Sequence, residues 1–313
     1  MAYGGKEQLT ALEAMLKEAN FAVSERCISR PSCFDFVARR EQTVVFVRIL
    51  PDIGNVTLKD SQELVGITNH FSAAPLIVGE DARERPLEED TVYSRYNITA
   101  INSKTFENFI VNNVRPLVQA SPGGYHVEID RDALSKRRQE LRLSIGEVAE
   151  MAGISRRTVY GYERGLAKAS VTVAYNLVRA LEIPVARPID IFEHQKIRPK
   201  PCLLKKAQRV FAKNKLLSRI LRKLAPLNIT TVRRAPFDFL LDVTEEKPPI
   251  IGGVTDTEER VLGRRIQEIL SISRVLKARP VLITSGRRPQ EKNIPCISSE
   301  EVSRMKHPED FFS

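Results

Sequence analysis

The sequence predicts a multidomain chain, with an all-α domain of five short helices over residues 130–195 between two α/β domains over 1–120 and 200–313. Three observations predict it. The stretch Phe34-Asp35-Phe36 returns as Phe237-Asp238-Phe239, inside two segments whose apolar and amphipathic stretches follow the same order. Between them, helix-capping residues recur at the spacing of short packed helices. Charge is also divided unevenly. The net charge is +10, yet Arg198 to Arg234 holds twelve Lys or Arg and no acid, which leaves the rest at −2. A basic surplus confined to one stretch points to a polyanionic partner.

The 313 residues suffice for two or three domains, and 42% hydrophobic content lets each bury a core. No apolar run approaches the roughly 18 residues of a membrane span, so no membrane partner is expected. The opening residues lack the charged start and apolar core of a secretory signal. Cys27, Cys33, Cys202 and Cys296 lie far apart, with no CxxC pair. They read as thiols of a reducing cytoplasm, with no metal site and no cofactor expected.

In the first copy a helix (KEQLTALEAMLKEAN) leads to the FDF strand, then to strand 43–50, an amphipathic helix 58–71 and strand 74–80. In the second, a helix over 202–224 leads to FDF, strand 248–254, a helix over 256–276 and strand 278–285. Each copy ends in a charged loop, a short strand and a last helix, at 97–110 and 294–307. The strands are short, β-branched and bounded by turn residues. A strand–helix–strand unit implies parallel strands with a right-handed crossover.

This order resembles the restriction-endonuclease-like fold with its PD-(D/E)xK signature. The resemblance implies an acid at the start of the second strand and an acid-x-Lys on the third, which together hold a divalent metal and steady a water. Asp35 and Asp238 keep the first acid. The first copy then places Phe46 and Arg48 in the other two positions, and the second offers Ile250 or Ile251 and a glycine. With one carboxylate each, both copies are expected to be degenerate and non-catalytic. Asp35 and Asp238 are then hydrogen-bonding or capping groups at strand ends.

The central segment runs from Arg131 to His194. Ser121-Pro122-Gly123-Gly124 suggests a flexible lead-in, and Pro199 and Pro201 discourage helix at the exit. The first helix spans Asp132 to Leu141, with Leu134, Arg138 and Leu141 on one face. Ser144 with Glu147 makes a capping box for the second, and Val148 and Ala149 face inward. Gly153 suits a left-handed C′ position. Ser155 caps a third helix, Arg156 to Glu163, buried through Ile154, Val159 and Tyr162, and Gly165 closes it. Ser170 opens a fourth, with Val173, Leu177, Ala180 and Leu181 inward, and RPIDIF makes a short fifth turn.

Two helices joined by a three-residue turn containing glycine form a helix-turn-helix. The spacing of Ala149, Gly153, Ile154, Ser155, Val159, Tyr162, Glu163 and Gly165 resembles the lambda-repressor/Cro-like family. That family lays its third helix in the DNA major groove. The resemblance implies that Arg156, Arg157, Tyr160 and Gly161 face base edges and that Ser155, Thr158 and Arg164 face phosphates. Ser144 joins this set from the cap of the second helix. The family often has Gln at the first position of that helix, where it touches phosphate, and this chain has Ile145 and then Gly146.

The 202–224 helix buries Leu203, Ala207, Val210, Leu217, Leu221 and Leu224 at helical spacing. Lys205, Lys206, Arg209, Lys213, Arg219, Arg222 and Lys223 lie elsewhere on it and are read as auxiliary phosphate contacts. The whole layout resembles an archaeal family of HTH-type transcriptional regulators. It implies a sequence-specific double-stranded DNA-binding regulator acting by operator occupancy, not an enzyme. If the chain forms a symmetric homodimer, its operator is a palindrome with half-sites about one helical turn apart. Two rivals stand: a metal-dependent nuclease or junction-resolving enzyme, with Glu13 or Glu63 as a second acid, and an RNA- or protein-interaction scaffold.

Overall fold

A computed structural model describes residues 5–193, 229–243, 247–255, 261–284, 293–305 and 310–311. The basic stretch 202–224, with Lys205, Lys206, Arg209, Lys213, Arg219, Arg222 and Lys223, lies outside the described residues. The chain begins with α1 (Gly5–Glu18), β1 (Ala22–Val23), β2 (Phe36–Arg40), β3 (Thr43–Ile49), α2 (Leu58–His70) and β4 (Ala74–Val78). There follow a small hairpin of β5 (Asp81–Ala82) and β6 (Arg85–Pro86), then β7 (Thr91–Arg95), β8 (Ile98–Ile101) and α3 (Ser103–Ile110). The middle holds β9 (Val118–Ser121), β10 (Gly124–Val127), α4 (Arg131–Glu140), α5 (Ile145–Ala152), α6 (Arg156–Glu163), β11 (Ala169–Ser170) and α7 (Val171–Leu181). Last come β12 (Thr230–Thr231), β13 (Phe239–Leu241), β14 (Ile250–Thr255), α8 (Leu262–Leu276), β15 (Arg279–Thr284) and β16 (Cys296–Ser298). Among the described residues no helix is long and apolar enough to cross a membrane.

The chain divides into two compact units. One comprises residues 1–8, 50–55 and 77–193, the other 9–49, 56–76 and 194–313. The second unit contains FDF stretches from both copies, and these copies share their strand pairing and the backbone bonds of their aspartates. In the first, β1 pairs antiparallel with β2 and β2 with β3; in the second, β12 pairs with β13 and β13 with β14 in the same sense. The Asp35 amide donates to the Val47 carbonyl at 2.8 Å, and the Asp238 amide to the Gly252 carbonyl at 2.8 Å. Asp35 Oδ2 accepts from the Ile49 amide, as Asp238 Oδ2 does from the Val254 amide, both at 2.6 Å. β14 and β15 are parallel, in register from Ile250 opposite Arg279 to Thr255 opposite Thr284, as a strand–helix–strand unit requires. Gly252 is needed for contact: a Cβ there would lie 1.9 Å from Cζ of Phe239, whose ring covers the strand.

These two copies pack on each other with reciprocal contacts. Glu63 of α2 accepts the amides of Arg233 and Arg234, just before the second FDF. Glu268 of α8 accepts those of Ile28 and Ser29, just before the first, at 3.0 and 2.8 Å. Arg39 at the end of β2 donates to the Leu276 carbonyl at 3.2 Å, while Asp242, just past β13, lies 3.2 Å from Nε2 of His70. Phe34 meets its own counterpart Phe237, with ring centroids 6.4 Å apart. A residue touching its own equivalent, flanked by exchanged pairs, is the pattern of an isologous interface, here within one chain.

Among the described residues two expected helices are absent. The last helix of the second copy is a single 3-10 turn over Glu301–Ser303 among the described residues. The fifth helix of the central segment is also missing, leaving four over 131–181. Its first residues are held in extended pairing, with Ile129 bridging Ala186, the Arg187 amide donating to Glu128 and the Ile189 amide to Pro116, and only a single turn follows, closed by the Glu193 amide on the Asp190 carbonyl at 3.1 Å. Pro184 and Pro188 fit this conformation and oppose a helix.

Glu268 is fully buried. Glu268→Ala leaves the Ile28 and Ser29 amides without their acceptor and lowers the unfolding free energy by about 3 kcal/mol. Glu63→Ala acts in the same direction at its more exposed position. Urea denaturation reads both, and an unchanged midpoint for Glu268→Ala rejects the reciprocal packing as a source of stability.

Candidate nucleic-acid interface

The helix-turn-helix lies within the first unit, and each of its helices starts on a side-chain cap. Asp130 caps α4 through the amides of Asp132 and Ala133. Ser144 caps α5 with a complete capping box: its Oγ accepts the Glu147 amide at 3.2 Å and its amide donates to Glu147 Oε2 at 2.8 Å. The backbone amide of Ser144 holds the Glu147 carboxyl below the usual carboxylate range. Gly153 ends α5 with φ +70°, a left-handed turn that glycine adopts without a Cβ clash. Ser155 caps α6 through the Thr158 amide at 3.1 Å, and its hydroxyl lies 2.8 Å from that of Thr158. Ser170 caps α7.

The apolar positions of these helices meet in one core containing Leu134, Val148, Ala149, Val159, Tyr162, Leu177 and Leu181, with Ile154, Val173 and Ala180 packed against it. Leu141, expected inward, is 41% exposed. It is the C-cap residue of α4, and Arg142 at φ +55° turns the chain so that Leu143 packs on the core instead. The expected flexible lead-in is also ordered. β9 and β10 form a hairpin across Ser121 and Gly124, β11 pairs with β10, and Val127 and Ile129 enter the helical core. Two strand-like tetrapeptides around a Pro-Gly-Gly turn were the available signal.

One polar contact ties the helices together. Arg138 of α4 forks onto Glu163 of α6, Nε to Oε1 at 2.6 Å and Nη2 to Oε2 at 3.1 Å. Its third nitrogen donates to the Leu143 carbonyl at 3.1 Å. The Glu163 carboxylate raises the Arg138 pKa further. A bidentate, largely buried pair of this kind fixes orientation as well as distance. Sequence periodicity placed Arg138 on the inner face but gave no sign of its partner.

With the inner face of α6 anchored, its outer face is open. Arg156, Arg157 and Tyr160 are exposed, while Thr158 and Gly161 are half-buried. Among the described residues no acceptor engages Arg156 or Arg157. The Arg164 guanidinium lies over the Tyr160 ring, 5.4 Å from its centroid. At Gly161 an added Cβ would have only Ala167 within 4 Å, at 3.9 Å, so internal packing does not exclude a larger residue there. Ser144, Ser155 and Thr158 direct their hydroxyls to the cap bonds described above. The structure thus brings Arg156, Arg157, Tyr160, Gly161 and Arg164 onto one short helix and its end.

The positions resembling a metal centre have a different character. Arg48 donates to Asp35 Oδ1 at 2.9 Å, and burial pushes the Asp35 carboxyl above its ordinary range despite the opposing pull of Arg48. In the second copy, strand register places Ile251 and Gly253 where the first has Phe46 and Arg48. Arg265 from α8 supplies the guanidinium, donating to Asp238 Oδ2, to the Pro236 carbonyl at 2.6 Å and to the Val254 carbonyl at 3.1 Å. Arg30 adds a bond to Asp238 Oδ1 at 2.8 Å. Glu13 is forked by Arg26 and Glu63 holds the Arg233 and Arg234 amides. A guanidinium stands against each aspartate, so these residues do not fit a divalent cation. Among the described residues no group of three or more His, Cys, Asp or Glu is placed to hold a metal ion.

Comparison with known proteins agrees with this division. Residues 6–116 match the model of the PD-(D/E)XK superfamily domain, and residues 134–187 match that of the helix-turn-helix. A protein of Methanocella arvoryzae named "Putative HTH-type transcriptional regulatory protein" is 33% identical over 96% of this chain and 92% of its own length. Proteins of the same name are similar in Methanosarcina acetivorans, 31% identical over 93% of this chain and 90% of the relative, and in Archaeoglobus fulgidus, 28% over 96% and 94%. No solved structure matches the chain.

Arg138→Ala and Glu163→Ala each destabilise this domain by about 3 kcal/mol, because each leaves the other's charge buried without its partner. The double variant loses less than the sum, with a coupling of about 2 kcal/mol. Thermal unfolding of the four proteins gives the cycle, and additive losses reject the pair as the tie between α4 and α6.

Proposed function

The chain belongs to the archaeal family of HTH-type transcriptional regulatory proteins, and from that membership we propose that it is a sequence-specific duplex-DNA-binding regulator acting by operator occupancy. The observation that carries this reading is the first turn of α6, where Arg156 and Arg157 stand exposed, with no acceptor among the described residues, on a helix whose other face is fixed by Val159, Tyr162 and Glu163. A helix fits the major groove, where an arginine can fork onto guanine O6 and N7. In this docking Arg156, Arg157, Tyr160 and Gly161 meet the groove, while Ser144, Ser155, Thr158 and Arg164 meet the backbone. The basic residues of 202–224 add phosphate contacts and with them salt sensitivity. If two chains pair symmetrically, the operator is a palindrome.

The test is selection from random duplex DNA at about physiological salt, followed by binding of the Arg156→Ala/Arg157→Ala variant. The wild type selects a motif and the variant loses it. Equal binding by both, with no motif, sinks the reading; captured RNA or a protein partner then favours the scaffold.

The match of residues 6–116 to the PD-(D/E)XK superfamily domain favours a second reading, a metal-dependent nuclease. Incubation with magnesium and duplex or branched DNA tests it. With Arg48 and Arg265 against the aspartates, the expected outcome is intact DNA. Magnesium-dependent cleavage that disappears in Asp35→Ala reverses the assignment.

A further inference from the structure

Gly146 and Arg156 are ten positions apart in the sequence and lie on different helices, but in space they form one contact. A Cβ built on Gly146, in the first turn of α5, would lie 2.8 Å from Nε of Arg156, 3.1 Å from its Cζ and 3.2 Å from its Nη2. The flat guanidinium therefore rests on the glycine backbone. The conformation of Gly146 is ordinary helix, one that any residue can adopt, and glycine is the poorest helix former after proline. What the missing side chain provides is a seat for Arg156.

That seat draws Arg156 back from α6 toward the start of α5. Glu147, the acid of that turn, directs its carboxylate to the Ser144 amide and not to Arg156. Arg157, one residue on, has no such contact, and Tyr160 stands one turn further along the same exposed helix. In a docked helix-turn-helix the recognition helix fills the groove while the preceding helix lies against the backbone. We propose that Arg156 is a backbone-phosphate anchor seated on Gly146, that base discrimination falls to Arg157 and Tyr160, and that Gly146 is a positioning residue for this division. The inference rests on the DNA-binding reading and revises one assignment within it, since Arg156 moves from the residues that meet the groove to those that meet the backbone. It also assigns a compensation: Ile145 and Gly146 lack a polar side chain to reach phosphate, and Arg156 takes that place from the next helix.

The experiment uses the full-length protein and its Arg156→Ala, Arg157→Ala, Gly146→Ala and Gly146→Ala/Arg156→Ala variants. Each is put through duplex selection, then titrated with the wild-type-selected duplex and an unrelated duplex over a range of salt. Arg157→Ala loses preference at one base pair. Arg156→Ala keeps the motif, weakens both duplexes by the same factor and lowers the log–log salt slope by about 0.9. Gly146→Ala displaces only the far end of a flexible side chain, so it melts no lower than wild type, yet it reproduces the loss of Arg156→Ala and adds nothing to it in the double variant. A changed motif in Arg156→Ala, or wild-type binding by Gly146→Ala, overturns the division of roles while leaving DNA reading in place. A wild type that selects no motif overturns DNA reading itself, and the division with it.

Discussion

A buried carboxylate at a strand end needs a compensating charge, and both α/β copies are organised around that requirement. Asp35 and Asp238 each accept a backbone amide from near the end of the third strand, that of Ile49 or Val254, and each faces a guanidinium. The first copy takes its arginine from the strand, Arg48. The second has Gly253 there and takes Arg265 from the helix, with Arg30 reaching over from the first copy. Bringing Arg30 across ties the charge balance of one copy to its packing against the other. The same arginines bond carboxylate oxygens that would otherwise be open to a cation.

Polar groups at the packed seam follow the same rule. Glu63 and Glu268 each satisfy two successive backbone amides of the opposite copy. Those amides precede FDF, where the chain enters the strand and has no ladder partner of its own. Buried donors need acceptors, and in this chain each copy lends one to the other. A repeat related by such exchanges is self-complementary in the manner of a symmetric dimer, though one connected chain supplies both halves.

The helix-turn-helix applies a buried ion pair to a different end. Arg138 and Glu163 hold α6 against α4 by a fork that permits one orientation, while Arg156 and Arg157 meet no acceptor among the described residues. A rigid frame beneath exposed cationic side chains lets those side chains bind without the cost of ordering the helix beneath them. In the proposed function this contrast separates residues that build the domain from residues that meet DNA.

By itself the sequence determined what depends on neighbours along the chain. Ser144 with Glu147, Gly153, Ser155 and Ser170 are local caps, and α5, α6 and α7 begin, and α5 ends, where those residues place them. The FDF repeat and its element order were legible for the same reason, because apolar periodicity is a local record of which face is buried. Pairings across distance were not legible. Periodicity can say that Arg138 or Glu268 lies on an inner face, but not which group waits there. It counted Leu141 as buried and 121–124 as a flexible lead-in, because neither the turn at Arg142 nor the pairing of β10 with β9 and β11 is visible until the chain has folded. Tertiary structure alone decided that Arg48 and Arg265 neutralise the aspartates, that the two copies exchange glutamates, and that Arg156 rests on Gly146. Each of these contacts joins residues from separate elements, and only folding sets the few ångströms between them.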